Sequence, residues 1–377
     1  MNQMKSPVAN SQATTHSSQR RVSPATILSS FFGYTLSAAL IALGLAAMMC
    51  AQTSSQRPAS TDGQQPQPKD YQLAGPYTYR NLSIFLILGP DKITGKQWLT
   101  LEEALAQKKV VVYETKDVND LAIQNLSNQE VYVQSGEIVK GGQQDRMLGV
   151  DMIVPPHSGR IPIAAFCVES GRWSKRGGEQ AGVFSSSSDA VATREIKLAA
   201  KVANDQGEVW KNVALAQDKL SENLGTRVNS SASESSLQLA VENSAVRESA
   251  ENYIKALSQF AYSKRNVIGY AFAINGQVNS ADVYASSALF HKLWPKLLRA
   301  SAIEAISALQ KNQDAPAVTA EKVQNFLAEP EAAKPTEKEV TGRTRLVTKE
   351  TEENVYFETR DRAGKDEWVH RNYIKKN

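Results

Sequence analysis

Little in this sequence is suited to metal or thiol chemistry. Two of its 377 residues are cysteine and four are histidine. Cys50 lies in an apolar run and Cys167 far downstream, so no internal disulfide is expected, and no Cys/His spacing fits structural zinc. Phosphate-loop and dinucleotide fingerprints are missing. No GxSxG surrounds a serine, and His157 and His291 carry no local signature, so Ser/His/Asp and Cys/His catalysis lack support. His157 reads as a turn residue, His291 as an ordinary helix residue and Cys167 as a small core residue. Charge of one sign is scarce as well: 43 basic against 39 acidic residues give a net +4, spread along the chain. Without a basic block, nucleic acid is not a predicted partner.

What the sequence has first is one long uncharged stretch. No charged residue occurs from Val22 to Gln56, and the run from Ala25 to Ala51 is long enough to span a bilayer as a helix. Lys5, Arg20 and Arg21 precede it, which orients the chain with everything after the segment outside the cytoplasm. A retained anchor and a cleaved signal both fit. The length, and the crowding of Met48, Met49 and Cys50 at the cleavage zone, favour the anchor; lipidation of Cys50 is a third reading. Residues 1–24 and 52–70 are too polar to bury a core and read as a disordered tail and a linker.

Residues 71–311 read as one α+β domain. Short strands at 81–88, 110–114, 121–125 and 130–134, then 146–154 paired with 160–168, predict an antiparallel sheet, sandwich or small barrel. Thr100 and Glu103 have capping-box spacing and start a short helix. An inserted helical section follows at 189–204, 206–223 and 235–261, with a Ser-rich break at 185–188. Asn275-Gly276 between 267–274 and 277–284 is a strong hairpin signal, and a helix from 287 to 310 closes the domain. Residues 312–377 read as a charged tail with a helix near 318–329 and three alternating runs that form at most a small β-meander, a place for a protein partner to dock.

The polar chemistry is densest in Gly136–Arg146, GEIVKGGQQDR. Its glycines permit positive φ and an outward-facing nest of N–H groups for an anion, completed by Gln143 and the fork of Arg146. Glu137 and Asp145 are the candidate bases or metal ligands. On composition alone, a solvated Gly-Gly turn explains the segment better. Glu169, Arg172 and Trp173 follow at a strand end, and Asp282 faces the same site or caps the hairpin.

These blocks resemble a known family. GEIVKGGQQDR, VPPHSGRIPIAAFCVESGRW, GEVW at 207–210 and VIGYAFAINGQVNSADVYAS followed by LFHKLW are similar, in this order, to the ARG-and-rhodanese-phosphatase-superfamily-associated domain over about residues 71–311. The family name implies an association with ADP-ribosylglycohydrolase and rhodanese-phosphatase proteins, not an activity or a cofactor. The resemblance implies a shared pocket built from Glu137, Gly141, Gly142, Gln143, Asp145 and Arg146 with Cys167, Glu169, Arg172 and Trp173. The expectation is a membrane-tethered extracytoplasmic domain binding a small polar or anionic ligand at the 136–146 loop. A hydrolase using Glu137 or Asp145, and a structural envelope protein recruiting a partner through its tail, are the alternatives.

Overall fold

The computed structural model describes residues 71–115, 117–310 and 316–377, and the backbone alone at 185–189 and 364. The expected membrane segment and polar linkers, within residues 1–70, lie outside the described residues. Among the described residues, no helix is long and apolar enough to cross a membrane.

The chain opens with an antiparallel pair, β1 (Gln72–Tyr79) and β2 (Leu82–Leu88). A short strand, β3 (Leu99–Thr100), leads into α1 (Leu101–Ala106), where Thr100 and Glu103 form the predicted capping box. A run of strands follows: β4 (Val110–Glu114), β5 (Asp120–Asn125), β6 (Val131–Val133), β7 (Glu137–Gly141), β8 (Arg146–Leu148), β9 (Met152–Val154), β10 (Ile161–Cys167) and β11 (Val183–Val191). The helical section comprises α2 (Arg194–Leu198), α3 (Gln206–Leu224), α4 (Leu237–Val241) and α5 (Ser244–Leu257). The hairpin β12 (Val267–Ile274) and β13 (Gln277–Tyr284) turns at Asn275-Gly276, both at positive φ. After α6 (Ser287–Ser307) and α7 (Ala320–Glu331) come β14 (Pro335–Glu339), β15 (Thr344–Glu350), β16 (Asn354–Asp361) and β17 (Glu367–Lys375).

These elements make an α+β fold with three sheets. The largest has eight strands in the order β1-β2-β12-β13-β17-β16-β15-β14. Its interior strand β12 is buried along its length. Tyr270, Phe272 and Ile274 join a core that includes Phe290, Trp294 and Leu298 of α6, whereas Ala271 and Ala273 join one that includes Val323, Phe326 and Leu327 of α7. This follows from the two-residue period of a strand covered on both faces. The second sheet is a closed six-stranded barrel, β10-β5-β4-β11-β7-β8, with Val112, Ile123, Val139, Leu148 and Ile163 in its core. The third is the three-stranded β3-β6-β9.

Three expectations are corrected here. The segment 146–154 is not one strand: β8 stays in the barrel beside β10, while β9 leaves it to pair with β6. The helix predicted from 189 begins at 194, because 183–191 is the strand that closes the barrel between β4 and β7. The Ser-rich stretch is therefore inside an element, where ladder pairing overrides a composition that reads as loop. Third, residues 316–377 are no separate tail. β17 pairs with β13 over Ser280–Tyr284, and Tyr356 and Tyr373 share a core with Phe85, Ile268 and Phe326. The predicted meander exists, but it extends the main sheet.

Candidate functional site

The loop between β7 and β8 is shaped by its glycines. Gly141 and Gly142 have φ of 123° and 58°, and a Cβ on Gly142 would lie 2.4 Å from Glu114 Oε1 and 2.8 Å from the Phe184 ring. Only glycine allows that backbone so close to its neighbours. The outward N–H groups that such a loop creates are taken by the protein's own carboxylates. Gly141 N–H donates to Asp145 Oδ1 (3.1 Å), Gln143 N–H to Glu114 Oε1 (2.8 Å) and Asp145 N–H to Glu169 Oε2 (2.9 Å). The N–H groups that the sequence reading offered to an outside anion therefore meet internal carboxylates.

Asp145 and Glu169 are fully buried and meet two guanidiniums. Arg176 grips Asp145 through two nitrogens at 2.6 and 2.8 Å. Arg172 grips Glu169 at 2.6 and 2.7 Å and also donates to the carbonyls of Gly142 and Gly141 at 3.2 and 3.3 Å. Ser236 Oγ donates to Asp145 at 2.8 Å, and Glu179 takes the outer side of Arg176 at 3.1 Å. Burial pushes the Asp145 carboxyl up, against the pull of Arg176. Burial also acts upward on Glu169, but hydrogen bonds from Arg172, Ser233 and the Asp145 N–H outweigh it and hold Glu169 below the usual carboxylate value. Each of these two buried carboxylates is thus matched by a forked cation, the arrangement that offsets desolvation best.

The structure brings together Asp145, Glu169, Arg172, Gly141 and Gly142 of the expected set. It separates two others. Glu137 sits at the opposite end of β7 and is buried against α6, accepting from Lys296 Nζ at 2.7 Å and from Gln134 N–H at 2.9 Å. Arg146 turns inward beside Gln144 Oε1 (2.9 Å), Glu114 Oε2 (3.5 Å) and the Cys167 thiol, which is buried in the core as expected. Burial pushes that thiol up. Gln143 and Trp173 are exposed, the indole at 57%. Arg176 belongs to the cluster and was not singled out from sequence, although it lies four residues beyond Arg172. His157 is an exposed turn residue, and His291 is engaged by the Ser287 and Ala261 carbonyls.

A second buried network joins the barrel region to the large sheet. His370 of β17 faces Asp151 at 2.6 Å through Nδ1 and Asp282 at 3.0 Å through Nε2. Asp151 also accepts from Ser135 N–H (2.7 Å) and Thr359 Oγ1 (2.8 Å), Asp282 from Asn372 (2.9 Å), and Tyr284 stacks on the imidazole at 4.5 Å. Burial would lower the His370 pKa, but the two carboxylates overcome it and lift it to about 9. Asp151 is held below its ordinary value by the same imidazolium, despite burial. So Asp282 serves this network and not the 141–146 loop. The signal in the sequence was His370 in the strand-like WVHRNYI, hidden by drawing the domain boundary at 311.

Among the described residues, no group of three or more His, Cys, Asp or Glu side chains could hold a metal ion. A model of the ARG and Rhodanese-Phosphatase-superfamily-associated Protein domain matches residues 70–374. The chain belongs to this family. The match extends beyond the 71–311 of the sequence resemblance and includes the C-terminal strands, as their pairing with β13 requires. No curated protein and no solved structure matches the chain.

Proposed function

We propose that this member of the family is delivered across a membrane by residues 25–51, retained there, and binds a small polar ligand outside the cytoplasm at the rim of the 141–146 loop. One observation carries the binding reading: two exposed side chains, Gln143 and Trp173, adjoin a rigid ion cluster in which Arg172 holds the Gly142 carbonyl. Trp173 offers a flat apolar face and Gln143 an amide, a combination suited to orienting a small ligand. Because Arg172, Arg176 and the loop N–H groups are already engaged, the reading favours a neutral polar ligand over an anion. Hydrolysis through Glu137 or Asp145 has no such support, since both carboxylates are buried and saturated by donors.

Thermal-shift titrations with ribose, ribose 5-phosphate and ADP-ribose test it. The phosphates should add nothing, and Trp173→Ala should remove any shift that ribose produces. A shift by ADP-ribose that survives Trp173→Ala, or hydrolysis that Asp145→Asn abolishes, overturns the proposal. Terminal sequencing of the mature protein from the membrane fraction tests delivery: retention requires a start before residue 25.

A further inference from the structure

A cavity of about 400 Å3 lies between the start of α2, the middle of α3 and the C-terminal end of α6. None of the 136–146 residues lines it. Its apolar side includes Leu215, Ala216 and Ile274, and Leu215 is 45% exposed. Glu304, 6% exposed, lines the same cavity.

Two donors reach Glu304. Asn279 Nδ2 donates to Oε1 and the Arg194 N–H to Oε2 at 3.1 Å, so the carboxylate serves the first turn of α2 in place of Thr193, which makes no side-chain cap. Neither donor is a charged side chain. The Arg194 guanidinium is turned to Glu195 Oε1, at 2.8 and 3.2 Å. Among the described residues, Glu304 forms no ion pair with a Lys, Arg or His side chain. The charges acting on it are Glu195, Lys197 and Arg194 of α2, and Lys219 of α3 stands exposed at the cavity rim. Burial first, then the charge of Glu195, pushes the carboxyl up to about 7 against the opposing Lys197, Asn279 and Arg194. This contrasts with Asp145 and Glu169, each of which is matched by a guanidinium. A buried carboxylate gains most from the one thing this cavity lacks, a cation in direct contact.

We infer that the cavity above Glu304 binds a small organic ammonium, with the cation on the Glu304 carboxylate and an aliphatic stem against Leu215 and Ile274. Lys219 at the rim favours ligands that carry a carboxylate at the far end of the stem. The site stands whether or not the 141–146 loop binds a ligand.

Isothermal titration of the full-length chain tests this, with pentylamine, 5-aminovalerate and pentan-1-ol as probes. The amines should bind. Pentan-1-ol, of the same size, should bind at least about tenfold more weakly, as a lost charge-assisted contact implies. Because burial pushes the Glu304 carboxyl up to about 7, amine binding at pH 7 should release a fraction of a proton, read from titrations in buffers of different ionisation enthalpy, and almost none at pH 9. Glu304→Gln should abolish amine binding. Since that change also touches the start of α2, Leu215→Trp provides a second variant on an exposed wall, expected to block the cavity and leave the unfolding midpoint unchanged. Equal binding of amine and alcohol, amine binding that survives in folded Glu304→Gln, or wild-type binding by folded Leu215→Trp would overturn the inference.

Discussion

Raising the pH should loosen this fold through His370. The imidazole lies between Asp151 and Asp282, is 2% exposed, and has its pKa lifted from 6.5 to about 9. A group whose folded pKa is raised contributes stability that is fully present below the unfolded value and is lost as pH rises through the folded one. The lift from 6.5 to about 9, at 1.36 kcal/mol per pH unit, amounts to about 3 kcal/mol. The window from pH 6.5 to 8 should account for about 2 kcal/mol of it. Above pH 8 a second group intervenes. Burial lowers Lys201 from 10.5 to about 8, so its unfavourable charging in the folded state is relieved as pH rises from 8 towards 10.5. The residue keeps partial contact with solvent, so screening reduces that gain below the face value of the shift. Stability should therefore fall steeply between pH 6.5 and 8 and flatten above. The assay is equilibrium denaturant unfolding at pH 6.5, 7.25, 8 and 9, for wild type and His370→Gln. The variant should be less stable at pH 6.5, because two buried carboxylates lose their shared cation, and its curve should keep only the smaller fall, about 1 kcal/mol, that Glu304 contributes as it ionises near 7. A wild-type curve that is flat or rising from pH 6.5 to 8, or an undiminished slope in His370→Gln, would refute a charged His370.

Arg176→Met leaves Asp145 buried without its fork and should cost about 3–5 kcal/mol, with part recovered by adding Asp145→Asn; denaturant midpoints of wild type and the two variants check this. Gly142→Ala forces a side chain to a φ of 58° and against Glu114 and Phe184, and should cost about 1–3 kcal/mol, read as a lowered thermal midpoint. Deleting residues 332–377 removes the strand paired to β13 and strips Tyr356 and Tyr373 from the α7 side of the sheet. The truncated chain should be insoluble, and a soluble fragment with cooperative unfolding would restore an independent tail.

Local elements were legible because their signals are local. The capping box at Thr100 and Glu103, the Asn275-Gly276 hairpin, and the apolar spacing of α3, α5 and α6 each depend on residues within a few positions. Barrel closure was not legible, since β11 is defined by partners more than forty residues away and its serines argue for a loop. Likewise the charged exterior of β14 and β15 concealed that β17 lies within the sheet.

The candidate site divides in the same way. The sequence by itself determined that Gly141-Gly142 could adopt positive φ, because φ preference is a property of the residue, and marked Asp145, Glu169 and Arg172 as notable. Only the tertiary structure decided what those groups meet. Arg176 closes the cluster, Glu137 and Arg146 turn to other partners, and Asp282 is claimed by His370, a residue 88 positions further along the chain. The physical reason is that a charge in the interior must be matched wherever the chain can deliver an opposite one, and delivery depends on strand pairing across the fold and not on nearness in sequence.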